Sequence, residues 1–259
     1  MHRYFMHLAY RGAAYHGWQI QPADISVQQV LEQALSTLLR TPTAITGAGR
    51  TDAGVNARMM IAHFDTDLPL DPDTLARLPR SLNAICRPDI VVYSINPVHH
   101  DAHARFDATS RTYRYLAHTY PDPFAYPLSW LMPPDTDIDA MNTAARHLLG
   151  THDFTSFSKL HTDVKTNICT VTHARWHQST DRPDNFYFEI TADRFLRNMV
   201  RAVVGTLVLV GRHKISPDNV ADIIRQKNRC SAGSSMPPHP LFLWNITYPY
   251  PVTTQPPAI

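Results

Sequence analysis

Residues 3–38 read RYFMHLAYRGAAYHGWQIQPADISVQQVLEQALSTL, and their patterning sets the fold class. RYFMHLAY (3–10) is rich in aromatic and apolar residues and reads as a strand. A Gly- and Pro-containing loop follows. Ser26 then opens SVQQ, the spacing of a capping box, in which Ser and a Gln three residues on satisfy free amides of a helix's first turn. Val27, Val30, Leu31, Ala34, Leu35 and Leu38 recur at helical spacing, so an amphipathic helix is expected over 27–40. Further along, 43–48 reads as a short strand and MMIAHFDT (59–66) as another. A helix starts near Pro72 and runs to about Ile85, and IVVYSI (90–95) is a further strand. The order β-α-β-β-α-β has antiparallel character and is close to the ferredoxin-like arrangement.

The second half repeats that order loosely. RTYRYLAHTY (111–120) is a strand, and the proline-rich 121–134 a surface excursion. A helix over 138–149 should end at Gly150, a favoured C-cap residue. Strands are expected at 168–178, 186–192 and 242–248, with helices at 195–210 and 217–227 and a frayed C-terminal tail. The expected class is α+β: two ferredoxin-like, RRM-like halves, 1–105 and 106–259, whose antiparallel sheets flank a central cleft.

Composition excludes several classes of protein. No run approaches the roughly 18 apolar residues of a membrane helix, and Met199–Val210 is interrupted by Arg201, Gly205 and Thr206. MHRYFMHLAY lacks the apolar core and cleavage site of a signal peptide, so a cytoplasmic protein with no membrane partner is expected. Cys86, Cys169 and Cys230 are odd in number and far apart, which suits neither a disulfide framework nor a four-sulfur metal site. The formal net charge is only +2, yet 20 of the 24 basic residues are Arg. Arg grips phosphate with a planar fork and stacks on bases, a lean towards RNA that genome composition alone would equally explain.

Three segments carry candidate chemistry. In Gly47-Ala48-Gly49-Arg50-Thr51-Asp52-Ala53-Gly54-Val55, three glycines surround one carboxylate between two strands. That suits a tight loop presenting an acid, although an ordinary Gly/Asp turn reads the same way and the spacing matches no Walker loop. Arg194, Arg197 and Arg201 fall at i, i+3 and i+7, hence on one helical face. Arg201 stands among apolar residues and therefore needs a charged partner, either a structural acid or Asp52. In Arg111-Thr112-Tyr113-Arg114-Tyr115, alternation puts both tyrosines on one strand face. Tyr115 is expected simply to pack, whereas Tyr113 could stack on an extruded base. His99-His100-Asp101-x-His103 prompts a metal-hydrolase reading, but His100 and His103 would share a helical face and not a strand face, Pro97 disfavours a helix there, and no metal or cofactor is expected.

Taken together, the segments resemble the TruA-type tRNA pseudouridine synthases. Gly-Arg-Thr-Asp-Ala-Gly-Val (49–55) is similar to that family's signature loop. Around it stand, in order, Tyr15-His16-Gly17-Trp18-Gln19, Ala62–Thr66, His103-Ala104-Arg105-Phe106, Gly150–Phe157, Met199-Val200-Arg201 with Gly205-Thr206-Leu207, and Ala232-Gly233. The resemblance implies Asp52 as catalytic nucleophile, Tyr113 as the residue stacking on substrate, and Arg201 as the ion-pair partner that keeps Asp52 ionised. Arg50 would contact RNA or help displace the base, and Arg105, Arg111 and Arg197 complete the expected substrate contacts. It further implies uridines 38–40 of the tRNA anticodon stem-loop as targets, and a homodimer. The competing reading is a non-catalytic RNA-binding protein built from RRM-like units. Asn56 stands where many of the family have His, and Ala192-Asp193-Arg194 replaces a Gly-containing turn.

Overall fold

In the computed structural model, residues 1–86, 88–159 and 166–252 are described, and the tail expected to fray lies outside them from residue 253. Contacts divide the chain into two compact units, Met1–Thr109 with the residues from Leu243 onward, and Ser110–Phe242.

The first unit holds β1 (His2–Tyr10), α1 (Val27–Leu39), β2 (Thr46–Gly47), β3 (Asn56–Thr66), α2 (Pro72–Ile85) and β4 (Ile90–Val98). Ser26 caps α1 by accepting the Gln29 amide, and Asp71 caps α2 by accepting that of Thr74. β1 lies between β4 and β3, antiparallel to both, and β2 pairs with the far side of β3. The resulting order 4-1-3-2 is that of a ferredoxin-like sheet. β2 is shorter than the 43–48 expected. The last strand, β10 (Leu241–Thr247), enters this unit from Leu243 on, next to β3. Patterning assigns that strand by its place in the chain and so had grouped it with the second half.

The second unit holds β5 (Ser110–His118), β6 (Trp130–Leu131), α3 (Ile138–Ala145), β7 (Gly150–Asp153), β8 (Ile168–Gln178), β9 (Asn185–Ala192), α4 (Met199–Gly211) and α5 (Asn219–Gln226). Its sheet runs β5-β9-β8-β7 with antiparallel neighbours. The excursion at 121–134 contributes β6, parallel to β5, and keeps Phe124 and Tyr126 exposed. Register aligns Tyr113 with Ile190 and Ala174, and Tyr115 with Phe188 and Trp176, on one face; Arg114, Glu189 and Arg175 align on the other. Tyr115, Phe188 and Trp176 are buried, so the first face is the core face.

Two helix ends differ from the sequence reading. α3 stops at Ala145 and tightens into a 3-10 turn, and Gly150 takes φ +99° at the start of the unforeseen β7. α4 starts at Met199 rather than at 195, because Asn198 sits in the left-handed region at φ 68°. Asn tolerates that conformation and a helix interior does not.

Two buried histidines give the first unit a pH dependence. His7 and His63 are 1% and 6% exposed. Burial pushes each pKa down to about 4 from an ordinary 6.5, helped at His63 by the Arg3 and His103 charges. Between these values the unfolded chain binds protons that the native chain refuses. Stability is therefore full above the unfolded pKa and lost as pH falls towards the folded one. At about pH 5 the pair should cost on the order of 2–4 kcal/mol. Urea denaturation at neutral pH and near pH 5 measures this, and an unchanged midpoint would contradict it.

Candidate active site

The Asp52 loop is held on both sides by the earlier loop that ends β1. The Asp52 carbonyl accepts the Val55 amide at 3.1 Å, closing a turn in which Gly54 takes φ +76°. A positive φ is what a type II turn requires at its third residue. On one flank, the Thr51 hydroxyl bonds the Tyr10 hydroxyl at 2.8 Å, and the Thr51 carbonyl accepts the Trp18 amide at 3.3 Å. On the other, the Gly54 amide donates to the Tyr15 carbonyl at 3.3 Å. Gly17, at φ +89°, packs so closely that a Cβ there would lie 2.4 Å from the Thr51 oxygen. A Cβ on Gly47 would lie 2.5 Å from the buried Trp18 ring. Two segments 30-odd residues apart thus form one rigid support for a half-buried carboxylate, roughly what pre-organisation of a reactive group demands.

Other expected residues of this unit are more exposed. Arg50 donates from Nε to Gln19 Oε1 at 3.1 Å, and the Arg105 guanidinium lies 5.7 Å from the Phe106 ring centre. Asn56 faces inward, where it is 2% exposed and its Oδ1 accepts the Gly12 amide at 2.8 Å. Its departure from the family pattern therefore falls on a bond that fastens the loop.

In the second unit, Tyr113 is half-buried on β5 and meets the Phe195 ring edge-on at 5.0 Å. Arg111 Nη1 donates to the Asp193 carbonyl at 2.9 Å. Arg201 lies in the first turn of α4, and its Nε donates to the Met236 carbonyl at 2.6 Å while the Met236 amide returns to the Arg201 carbonyl. Arg194 and Arg197 precede α4, so the single helical face expected for Arg194, Arg197 and Arg201 does not exist. The Asp193 carboxylate accepts the Thr170 and Arg194 amides and turns the chain there instead. The His99–His103 segment forms no metal cluster among the described residues: His99 pairs with Asp101, and His103 Nδ1 accepts the Arg105 and Phe106 amides.

The segment that holds Arg201 through Met236 is itself braced, in part by Asn198, Arg229 and Ser235, to which the sequence reading gave no role. Asn198 Nδ2 donates to Ser235 Oγ at 2.6 Å, Arg229 donates to the same oxygen and to the Gly233 carbonyl, and the Gly233 amide donates to Thr206. The 232–236 segment lies so close to α4 that a Cβ on Gly205 would sit 1.9 Å from the Ser234 carbonyl oxygen. Backbone cannot yield there without moving Met236. Gly205→Ala is expected to cost about 3 kcal/mol or more, read by chemical denaturation, and unchanged stability would contradict this packing.

Tyr115 lies beside Tyr113 with its hydroxyl buried and, among the described residues, without a hydrogen-bond partner. Burial raises its pKa, against the opposing charge of Arg201. Because that hydroxyl is desolvated without return, Tyr115→Phe should be neutral or stabilising by up to about 1 kcal/mol. A clear loss of stability on denaturation would reveal a bond the side chain does make.

Comparison with known proteins settles the family. The family described as tRNA pseudouridine synthase matches residues 144–249. A protein of Parabacteroides distasonis named tRNA pseudouridine synthase A is 54% identical, over 96% of this chain and 97% of its own. The chain belongs to the tRNA pseudouridine synthase A family. Proteins of the same name from Bacteroides thetaiotaomicron and Bacillus subtilis are 53% and 39% identical, over 96% and 93% of this chain and 91% and 97% of theirs. Membership of the tRNA pseudouridine synthase A family agrees with the mixed α/β architecture, mostly antiparallel, described above. No helix among the described residues is long and apolar enough to cross a membrane.

Proposed function

We propose that this chain isomerises uridine to pseudouridine in tRNA, with Asp52 as the nucleophile. The observation that carries the reading is the two-sided anchoring of the Asp52 loop, in a chain of the tRNA pseudouridine synthase A family. The reaction detaches uracil from C1′, rotates it and rejoins it through C5, with loss of the C5 proton. Nothing is oxidised and no group is transferred from outside, so the chemistry calls for no cofactor. A carboxylate suits it as a modest nucleophile that also leaves again.

The family's motif order assigns Tyr113 to stacking on the flipped base and Arg201 to ion pairing with Asp52; the Tyr113 hydroxyl, on general acid–base grounds, is further proposed to assist removal of the C5 proton. Flipping a uridine out of a stem costs a few kcal/mol, which stacking and phosphate contacts offset. Arg50, Arg105, Arg111 and Arg197 are proposed as those contacts, since guanidinium forks suit phosphate. In this reading the N-terminal half presents the acid and the C-terminal half supplies Tyr113 and Arg201. The substrate positions are 38–40 of the anticodon stem-loop, and the working protein is a cytoplasmic homodimer, which enlarges the basic surface of a +2 chain.

An unmodified tRNA transcript incubated with the chain and mapped for pseudouridine tests the proposal. Product at positions 38–40 is the expected result. Binding without product, across several tRNAs, would replace it with the non-catalytic RNA-binding reading.

A further inference from the structure

On the sheet face opposite Tyr115 and Trp176, three potential ligands converge from two strands. His173 and His177 stand four residues apart on β8, and Glu189 lies between them on the neighbouring β9, directly across from Arg175. A register irregularity between Val171 and His173 changes the spacing of β8 there. The imidazoles stack at 5.7 Å with 16° between their planes, and their Nε2 atoms are 3.4 Å apart. His173 Nε2 is also 3.6 Å from Glu189 Oε1. One ligand atom from each of the three residues falls within 4.8 Å of the other two.

These separations are compatible with a single metal ion. With ligand distances of roughly 2.0–2.2 Å, a tetrahedral zinc ion sets its ligands about 3.3–3.6 Å apart. Two edges already have that length. If the two Nε2 atoms are hydrogen-bonded, one must carry a proton, and a cation takes the place of that proton. The surroundings hold the ligands in position. Arg114 Nε donates to Glu189 Oε2 at 2.6 Å, leaving Oε1 directed at the histidines. The Arg114 guanidinium lies 4.5 Å over the Tyr187 ring, which in turn stacks on His177 at 5.0 Å. Such outer contacts orient metal ligands in proteins generally. His173 is 40% exposed and Glu189 21%, so water can reach a fourth position.

We infer that His173, His177 and Glu189 form a binding site for a divalent transition-metal ion of the zinc type, with water as fourth ligand. The site ties β8 to β9 and is independent of the isomerase reading, since none of its ligands is among the proposed catalytic residues. It differs from the His99–His103 segment, whose groups are engaged with Asp101 and local amides.

The test uses the full chain, stripped with chelator and titrated with Co2+ and with Zn2+. Expected are one equivalent bound per chain, the visible absorption of tetrahedral Co2+, its displacement by Zn2+, and a higher unfolding temperature with Zn2+. His173→Gln and His177→Gln should each weaken binding by about tenfold or more, while both stay folded by circular dichroism. His99→Gln with His100→Gln is the control and should bind as the unmodified chain does. Absence of the tetrahedral spectrum would overturn the proposal. So would binding that survives both β8 substitutions, or that the control abolishes.

Discussion

Asp52→Asn is expected to lower the rate of pseudouridine formation by about 10⁴-fold or more, the scale seen when a group acting as nucleophile is removed. The amide keeps the size and shape of the carboxylate but cannot attack and leave as an anion. The bonds that fasten the loop run from Tyr10, Trp18 and Tyr15 to Thr51 and Gly54, through the backbone and the Thr51 hydroxyl. None of them uses the Asp52 carboxylate. The variant keeps those bonds, so it should stay folded and still bind tRNA, with any change in unfolding temperature limited to what the proposed pairing with Arg201 contributes. A rate within tenfold of the parent's would remove Asp52 from the chemistry, while a lost fold would show that the loop depends on its charge.

Tyr113→Phe comes second in size. The variant keeps the ring, and with it the edge-on contact to Phe195 and any stacking on the base. It loses only the hydroxyl. If that group assists removal of the C5 proton, turnover should fall by about 10²–10⁴-fold, as for other groups in proton transfer, with tRNA affinity preserved. Tyr113→Ala should weaken affinity as well. Unchanged turnover in Tyr113→Phe would confine Tyr113 to stacking. The split between turnover and binding thus separates the two roles given to one residue.

Much of the fold was legible because its signals are local. Ser26 and Val27–Leu38 announce α1, and alternation in Arg111–Tyr115 places Tyr115 on the buried face with Phe188 and Trp176. The Asp52 loop was legible as a motif, but its fastening was not. Gly17 against Thr51, and Trp18 over Gly47, are contacts between segments that no spacing rule connects. The same limit misled the reading of Arg194 and Arg197. Apolar periodicity runs back through Phe195 and Leu196, whereas Asn198 and the Asp193 turn postpone the helix to Met199. Histidines close in sequence drew attention to His99–His103. Strand pairing instead assembled His173, His177 and Glu189, whose proximity depends on the register of β8 against β9. Asn56, noted in the sequence only as a departure from the family's His, is an internal fastener of Gly12.

The most direct measurement is tritium release from tRNA carrying [5-³H]uridine in its anticodon arm, with the unmodified chain and Asp52→Asn compared side by side. Joining C5 to C1′ expels the hydrogen at C5, so release should equal the pseudouridine formed by the unmodified chain and be absent with the variant. Release by Asp52→Asn at the unmodified rate, or no release by the unmodified chain from a tRNA it binds, would contradict the account.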